Sequence, residues 1–274
     1  MAANISSLID DVLETDIFEE LNLSEVAVLG VGAYGKVVLA VSKDDPNEKL
    51  ALKMFSLSED AADEDARKVD EETKRMFCKE VQVMKGLHHC SIMPLLYSVQ
   101  APDCLALVMP ACERGAVADA ITTLLPSQQL KYIRQLCQAI HYLHEKNTVH
   151  LDIKANNILI DDDDNILLSD FGFSRVLPNK HVEIFVELGT EYYRAPETYS
   201  DERVNPFKVD MYAFGMTCWT IVMKTRPSKV DFLDIIRNSL GVPYIYRRMV
   251  TFLMQAVPDH RPSAAQVLEI VCKL

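Results

Sequence analysis

The chain has 274 residues, 49% of them hydrophobic, with 28 basic and 40 acidic side chains and a formal net charge of −12. The apolar content excludes global disorder, and the length suits one large domain with two subdomains. The acidic charge argues against general binding to nucleic acid or to an anionic membrane surface.

The seven cysteines are scattered and include no C-x-x-C pair, and the N-terminus carries no signal peptide. These observations predict reduced cysteines in a cytoplasmic or nuclear protein that is not secreted. The apolar stretch over residues 211–223 is too short to cross a bilayer, so we expect a protein that does not span a membrane.

Residues 1–24 form an acidic segment ahead of the main domain, which we place at 25–274. Acidic residues occupy most of one face, which disfavours a membrane-surface helix because such a helix needs Lys or Arg there. We expect an amphipathic segment that docks on the domain. The apolar residues that recur at helical spacing are Ile5, Leu8, Ile9, Val12, Leu13, Ile17, Phe18 and Leu21.

Residues 25–55 have the pattern of three strands. The apolar runs E-V-A-V-L-G, K-V-V-L-A-V and L-A-L-K-M-F are separated by the turn sequences G-V-G-A-Y-G and D-D-P-N. A helix is predicted over residues 60–86, and two more strands end at Pro110.

Helical patterns dominate the rest of the chain, apart from two short strands predicted at 157–160 and 166–169. This order predicts an α+β protein with two lobes. We expect a small β-rich lobe with one main helix at about 25–110 and a larger, mostly helical lobe at about 111–274.

Gly30, Gly32 and Gly35 spell G-x-G-x-x-G, which is a weak signal alone. A dinucleotide-binding turn would continue into a helix, whereas the strand K-V-V-L-A-V follows here. The glycines therefore close a hairpin whose backbone can approach phosphates, because they carry no Cβ. A purely structural hairpin stays open as the alternative.

Lys53 lies within an apolar strand, on the same face as Ala51, where an unpaired ammonium would be costly. Glu80 lies in line with Met76 and Met84 on the predicted helix and is the natural partner. We expect the pair to hold phosphates in register. The alternative is a Glu at the edge of the stripe that reaches water.

The most specific stretch is V-H-L-D-I-K-A-N-N-I-L-I, followed by L-L-S-D-F-G. Asn157 opens one strand and Asp170 closes the next, and two oxygen donors at neighbouring strand ends can hold Mg²⁺ together with phosphate oxygens. Asp152 and Lys154 share the polar loop before them. An Asp beside a Lys suits a hydroxyl nucleophile and a phosphate.

Taken together, these motifs resemble those of the eukaryotic-type serine/threonine protein kinases over all but the first segment. G-V-G-A-Y-G-K-V resembles the glycine-rich loop, A-L-K-M-F the strand with the lysine, K-E-V-Q-V-M the helix with the glutamate, and L-V-M-P-A-C the adenine-binding hinge. H-L-D-I-K-A-N-N resembles the catalytic loop, D-F-G the metal loop, and Y-R-A-P-E the end of the activation segment. The H-L-D sequence is locally similar to that of the Mos kinases.

The resemblance implies a two-lobed protein kinase-like fold and an enzyme that uses ATP and Mg²⁺ to phosphorylate Ser and Thr hydroxyls of protein substrates. It implies that Asp152 is the base and that Lys154 steadies the phosphate. It also implies that Lys53, held by Glu80, grips the α- and β-phosphates. The implied Mg²⁺ ligands are Asn157 and Asp170, and the implied nucleotide-binding residues are Gly30, Gly32, Gly35, Val37, Ala51, Lys53, Met109, Cys112 and Leu159.

The same resemblance implies that Asp210 is a buried organising acid and that Glu197 pairs with Arg261. Lys154 and Thr190 are typical of the serine/threonine class. The alternative functions are a pseudokinase-type scaffold or regulatory nucleotide-binding module, which usually loses a Lys, Asp or metal residue, and a small-molecule kinase, which should lack A-P-E. This sequence has the Lys, the Asp, the metal residues and the A-P-E motif, so it lacks none of the features that these alternatives would lose.

Three departures from the family pattern carry expectations of their own. Leu151 replaces the usual Arg, and residues 175–189 contain no Ser, Thr or Tyr, so we expect activity without activation-loop phosphorylation and control by packing or by a regulatory protein partner. Pro110 in the hinge predicts altered backbone pairing to adenine. We expect apolar contacts to order the activation segment, and the residues expected to make them are Val182, Ile184, Phe185 and Val186.

The acidic run Asp161–Asp164 raises the question of calcium. It lacks the Gly and the terminal Glu of an EF-hand loop, so we expect a solvated turn.

Overall fold

The computed structural model describes residues 8–32, 35–58, 64–187 and 189–273. The chain divides into two compact units, the first formed by Met1–His88 and Met93–Cys112 and the second by His89–Ile92 and Glu113–Leu274. The first unit is built on a six-stranded sheet and the second is mostly helical. The predicted α+β, two-lobed class is confirmed, while the predicted boundary at residues 24 and 25 stays a prediction.

The sheet of the first unit has the order β1-β5-β6-β4-β3-β2. Its pairs are antiparallel except for β1 with β5, which is parallel. The elements of the unit are β1 (Asp11–Val12), α1 (Ile17–Glu20), β2 (Leu23–Gly32), β3 (Gly35–Ser42), β4 (Lys49–Ser56), α2 (Glu64–Lys85), β5 (Tyr97–Gln100) and β6 (Cys104–Pro110).

The hydrophobic core of this sheet follows the period of two that strands impose. Alternate residues of the central strands, such as Val38, Leu52 and Val108, are fully buried on one face. Leu13 and Ile17 from the N-terminal segment fill the same core. The intervening residues of these strands, Lys53 among them, point to the opposite face.

The helical spacing of apolar residues in the N-terminal segment predicts a helix, and this prediction is wrong for most of the segment. The helix covers only Ile17–Glu20, capped by the Asp16 carboxylate, and Asp11–Val12 is instead a strand beside β5. An isolated short helix is marginal in water, whereas the edge of β5 offers unpaired backbone groups. Ile5 lies outside the described residues.

The predicted main helix is present as α2, and the predicted start at residue 60 lies outside the described residues. The two short strands are also present, as Ile158–Ile160 and Ile166–Leu168. Asn157 falls in the 3₁₀ turn just before the first of them rather than within it.

The second unit surrounds a helix whose residues are buried on nearly every side, as expected for a helix that is apolar all round. Within the described part of the chain, no helix combines the length and apolar character that crossing a membrane requires. The elements are α3 (Val117–Ala120), α4 (Pro126–Glu145), β7 (Thr148–Val149), β8 (Ile158–Ile160), β9 (Ile166–Leu168), β10 (Arg175–Val176), the central α5 (Pro206–Met223), α6 (Phe232–Asn238), α7 (Tyr244–Leu253) and α8 (Ala264–Val271).

The turn between β8 and β9 is exposed at Asp162 and Asp163 and partly exposed at Asp164. The Asp164 carboxylate accepts a hydrogen bond from the Tyr132 hydroxyl at 2.7 Å and pairs with Arg114 at 2.7 Å. Partial burial raises the pKa of Asp164, but these contacts outweigh it and hold the pKa below its usual value. The expected solvated turn is confirmed at Asp162 and Asp163, whereas Asp164 is held in place because an Arg and a Tyr both contact its carboxylate.

The β2–β3 hairpin demands glycine at one of its three loop positions. Gly35 has φ 151°, and a Cβ there would lie 1.9 Å from the Met54 carbonyl oxygen. A Cβ at Gly30 would meet nothing within 4 Å, and one at Gly32 would meet only the Gly35 carbonyl, at 3.9 Å. The fold therefore requires Gly35, whereas the backbone at Gly30 and Gly32 stays open to a ligand.

We predict that Gly35→Ala lowers the free energy of unfolding by about 1–3 kcal/mol, because the new methyl group collides with a backbone carbonyl. Urea unfolding of the purified chain measures the effect. Gly30→Ala is the matched control, with an unchanged midpoint. Equal midpoints for Gly35→Ala and the wild type would contradict the steric account.

Candidate active site

Lys53 and Glu80 form an ion pair within the first unit. The Lys53 ammonium lies 2.8 and 2.9 Å from the two Glu80 carboxylate oxygens. The Glu80 side chain is only 3% exposed, so the pair keeps a buried charge from standing alone. The expected contact is present, and the Phe55 ring lies 5.6 Å from the ammonium.

Strand register places four of the predicted nucleotide-binding residues on one face of the sheet. Val37 lies opposite Lys53, and Ala51 lies opposite Met109. Because Ala51 and Lys53 are two residues apart on β4, all four side chains share a face. This is the face opposite the hydrophobic core, so these residues are not committed to packing it.

The glycine loop and the hinge border the same strands. Gly30 lies opposite Val37 across the β2–β3 ladder. Pro110 ends β6 opposite Leu50 and has no backbone N–H to donate. Cys112 lies two residues further on and is half-buried.

In the second unit, Asp152 is the centre of a polar cluster. One of its carboxylate oxygens accepts from the Lys154 ammonium at 2.7 Å and from the Asn157 amide at 3.0 Å. The other oxygen accepts from the Thr190 hydroxyl at 2.8 Å. The Lys154 ammonium also donates to that hydroxyl at 2.7 Å, so the four side chains hold one another in place.

Thr190 belongs to this cluster, although the sequence did not predict it as a site residue. The sequence marked it only as typical of a class. Its position in G-T-E-Y-Y-R-A-P-E, four residues before Arg194, was the available signal. The fold brings it to Asp152 across 38 residues of chain.

Among the described residues, the Asp152 carboxylate accepts one hydrogen bond fewer than its lone pairs allow. A carboxylate has about four lone-pair positions, and three of them are used by Lys154, Asn157 and Thr190. The remaining position is on the oxygen that Thr190 contacts. A hydroxyl group that reaches it would donate its proton to an anion already fixed in orientation.

Asp210 fixes the backbone that leads into Asp152. Its side chain is fully buried in α5 and accepts from the backbone N–H groups of His150 at 2.9 Å and Leu151 at 2.8 Å. Leu151 has φ 67°, which is costly for a residue with a branched side chain. The two hydrogen bonds hold this strained turn in place.

Glu197 and Arg261 form a second buried pair. The two guanidinium–carboxylate distances are 2.6 and 2.7 Å, and Arg261 is 1% exposed. The same guanidinium donates to the carbonyl oxygens of Gln255 and Lys208 and lies over the Tyr212 ring. The ion pair implied by the family resemblance is thus present, and the guanidinium has hydrogen-bond acceptors for its N–H groups.

The residues predicted to hold Mg²⁺ fit that ion. The Asn157 amide nitrogen donates to the Asp152 carbonyl and carboxylate oxygens, which leaves the amide oxygen without a donor among the described residues. Asp170 follows β9 with φ 63° and is exposed. Mg²⁺ prefers such a set, with few carboxylates and the remaining ligands from phosphate and water. No group of three or more His, Cys, Asp or Glu in the described ranges is placed to hold a metal.

Leu159, predicted to contact the nucleotide, lies in β8 and forms an isolated bridge with Ala116 in the same unit. Its side chain is half-buried. No contact in the described part of the chain therefore contradicts this assignment.

The activation segment is ordered by apolar packing around Leu151. Leu151 is 4% exposed and belongs to a hydrophobic cluster that includes Val186, with Val182 and Ile184 packed against it. Ile184 also exchanges two backbone hydrogen bonds with Val204, at 3.0 and 2.9 Å.

Phe185 does not join the cluster, contrary to expectation. Its ring is 50% exposed and lies 5.3 Å from the Arg203 guanidinium. The reason is the extended backbone around Ile184, which turns alternate side chains to opposite sides.

A family model described as a protein kinase domain matches residues 23–273. The chain therefore belongs to the protein kinase family, as its motifs predicted. It is 29% identical to a probable serine/threonine-protein kinase, MARK-A, of Dictyostelium discoideum, over 90% of this chain and 24% of that protein. It is 26% identical to the serine/threonine-protein kinase STE20 of Eremothecium gossypii, over 88% of this chain and 25% of that protein.

A third relative, the human NUAK family SNF1-like kinase 1, is 28% identical over 87% of this chain and 36% of its own length. The chain thus spans between a quarter and about a third of the length of these curated relatives.

We predict that Asp210→Asn destabilises the second unit by about 1–3 kcal/mol, because an amide offers one oxygen to two backbone donors and leaves one of them unsatisfied. Urea unfolding measures the loss. The exposed Asp201, changed to Asn, serves as the control. An Asp210→Asn chain as stable as the control would show that these hydrogen bonds do not hold the turn.

Proposed function

We propose that the chain is an ATP-dependent protein kinase that phosphorylates serine and threonine hydroxyls of protein substrates. The observation that carries the proposal is the Asp152 carboxylate, which Lys154, Asn157 and Thr190 hold in one orientation and which accepts fewer donors from the described residues than it can. The names of the relatives support the same activity.

In the proposed reaction the substrate hydroxyl oxygen attacks the γ-phosphorus of ATP. Its proton passes to the Asp152 carboxylate, and the bond from the γ-phosphorus to the bridging oxygen breaks, with its electron pair leaving on ADP. The Lys154 ammonium, 2.7 Å from Asp152, stabilises negative charge on the transferred group.

In the first unit, Lys53 would bind the α- and β-phosphates while Glu80 orients it. The adenosine would use the face that carries Val37, Ala51 and Met109. Bound Mg²⁺, held by Asn157 and Asp170, would supply charge neutralisation on the phosphates.

We also propose that the protein works in the cytoplasm or the nucleus. Its seven cysteines are odd in number and include no C-x-x-C pair, and this pattern supports a reducing compartment.

The packing of Leu151 supports activity without activation-loop phosphorylation. An arginine at this position would reach for a phosphate, but Leu151 contributes to the apolar cluster with Val186 instead. Of the hydroxyl residues that flank the segment, Ser174 is fully buried and Thr190 is engaged with Asp152. The apolar contacts of Val182, Ile184 and Val186 support a segment that is ordered by its own side chains.

Asp152→Asn should reduce phosphate transfer to a protein substrate by about 10²–10⁴-fold, because the amide cannot accept the hydroxyl proton. Binding of ATP, measured by calorimetry, should change little. Asp162→Asn in the exposed β8–β9 turn is the matched control, with wild-type rates. Transfer by Asp152→Asn at nearly the wild-type rate would overturn the assignment of Asp152 as the base. If the wild-type chain itself transferred no phosphate, the scaffold alternative would be favoured.

A chain made in bacteria and treated with a broad phosphatase should keep its full activity, because the apolar cluster and not a phosphate orders the segment. Mass spectrometry confirms that no phosphate remains, and an untreated sample is the control. Activity that disappears on treatment and returns with phosphate on a residue between 174 and 193 would refute this account.

A further inference from the structure

Residues 8–13, which we call the N-terminal clamp, contact the C-terminal end of α2 through Leu8 and Asp10. The Lys85 ammonium, in the last turn of that helix, donates to the Leu8 carbonyl oxygen at 2.7 Å and to the Asp10 carboxylate at 2.8 Å. A cation at this end of a helix is also favoured by the helix dipole. The clamp and the helix are thus joined through one side chain.

The clamp is itself fastened to the sheet through Ser98 on β5. The second Asp10 carboxylate oxygen accepts from the Ser98 backbone N–H at 2.7 Å and from its hydroxyl at 2.9 Å. The Asp10 N–H donates back to the Ser98 carbonyl at 2.8 Å. Asp10 therefore joins α2 to β5 through its two oxygens.

Two apolar side chains anchor the clamp in the core of the sheet. Leu13 at the end of the clamp and Ile17 just after it are buried there, at 9% and 1% exposure. The Leu13 N–H also donates to the Gln100 carbonyl oxygen at 2.8 Å. An exposed ion pair alone contributes little, but here the pair is attached to a buried anchor.

The electrostatic state of Asp10 suits this role. Burial raises the pKa of its carboxyl group, but the hydrogen bonds from Lys85 and Ser98 outweigh burial and hold the pKa below its usual value. Asp10 is accordingly ionised at neutral pH.

Helix α2 also carries Glu80, five residues before Lys85. A helix advances 1.5 Å per residue, so about 7–8 Å of continuous helix joins the clamped side chain to the one that pairs with Lys53. A short piece of regular helix transmits a displacement of one end to the other. Any movement of Lys85 away from the sheet therefore shifts the Glu80 carboxylate relative to Lys53.

We propose that the N-terminal clamp is a positioning device, in which Asp10 and Lys85 hold α2 so that Glu80 stays in contact with Lys53. Asp10 and Lys85 are positioning residues and touch no substrate. Only the expected effect of the clamp on activity rests on the proposed kinase function. The position of α2 itself can be measured without any reaction.

The activity test compares Asp10→Ala in two backgrounds. In the wild type, loss of the clamp should lower kcat/KM about tenfold or more, since small misplacements of an orienting group cost that much. In a Glu80→Gln background the same change should have less than about a twofold effect, because the group that the clamp positions has already lost its charge. Asp11→Asn, on the same strand and exposed, is the matched control with unchanged activity.

Equal losses in both backgrounds would show that Asp10→Ala acts through general destabilisation, and no loss in the wild type would show that the clamp positions nothing. Either result overturns the proposal.

Hydrogen exchange provides the arm that does not depend on activity. In Asp10→Ala the amides in the last two turns of α2 should exchange faster than in Asp11→Asn, while those of the second unit stay unchanged. Unchanged exchange in α2 overturns the clamp even if the chain transfers no phosphate. An inactive wild-type chain with faster exchange in Asp10→Ala instead counts against the kinase function alone.

Discussion

The buried carboxylate of Asp210 is the contact on which the geometry of the second unit depends. It receives the backbone N–H groups of His150 and Leu151, which lets a branched residue occupy a left-handed conformation directly before Asp152. Without those hydrogen bonds, the strain at Leu151 would relax and turn the Asp152 carboxylate away from Lys154. A residue with no access to solvent thereby sets the orientation of the one assigned to the chemistry.

A buried charge needs a partner, and the other buried carboxylates of the two units each have one. Glu80 is satisfied by Lys53, Glu197 by Arg261, and Asp152 by Lys154 and two neutral donors. Buried pairs add little net stability compared with apolar packing, but breaking one is costly. They therefore specify a single arrangement of the side chains, which the proposed phosphate transfer requires.

Apolar packing has the complementary role in the activation segment. Leu151 belongs to both systems, since its backbone is held by Asp210 while its side chain packs with Val186. A change at this one residue would therefore affect the catalytic loop and the activation segment together.

The sequence predicted best where chemistry forces a local pattern. Lys53 and Glu80 could be paired in advance, because each stands in an otherwise apolar stripe and a charge there needs a partner. Asp152, Lys154, Asn157 and Asp170 were assigned to the site by their order in two short motifs, and the fold brings the first three into hydrogen-bonding contact. Each of these side chains was singled out from the residues around it in the sequence, although the Lys53–Glu80 pair itself joins positions 27 residues apart.

The failures involve contacts between distant parts of the chain. The strand at residues 11–12 pairs with β5, 88 residues further on, and two residues are too few to show a period of two. Thr190 reaches Asp152 only after the chain has folded. Asp164 looked solvated because nothing local reveals that Tyr132 and Arg114 converge on it.

The most direct test of the central claim is the chemical identity of the phosphorylated residue. The phosphatase-treated chain is incubated with Mg²⁺, a generic protein substrate and ATP labelled in its γ-phosphate, and the substrate is hydrolysed to its phosphoamino acids. The account predicts label on phosphoserine and phosphothreonine, and none above background with the Asp152→Asn chain. Label confined to phosphotyrosine, or equal label with both chains, would contradict it.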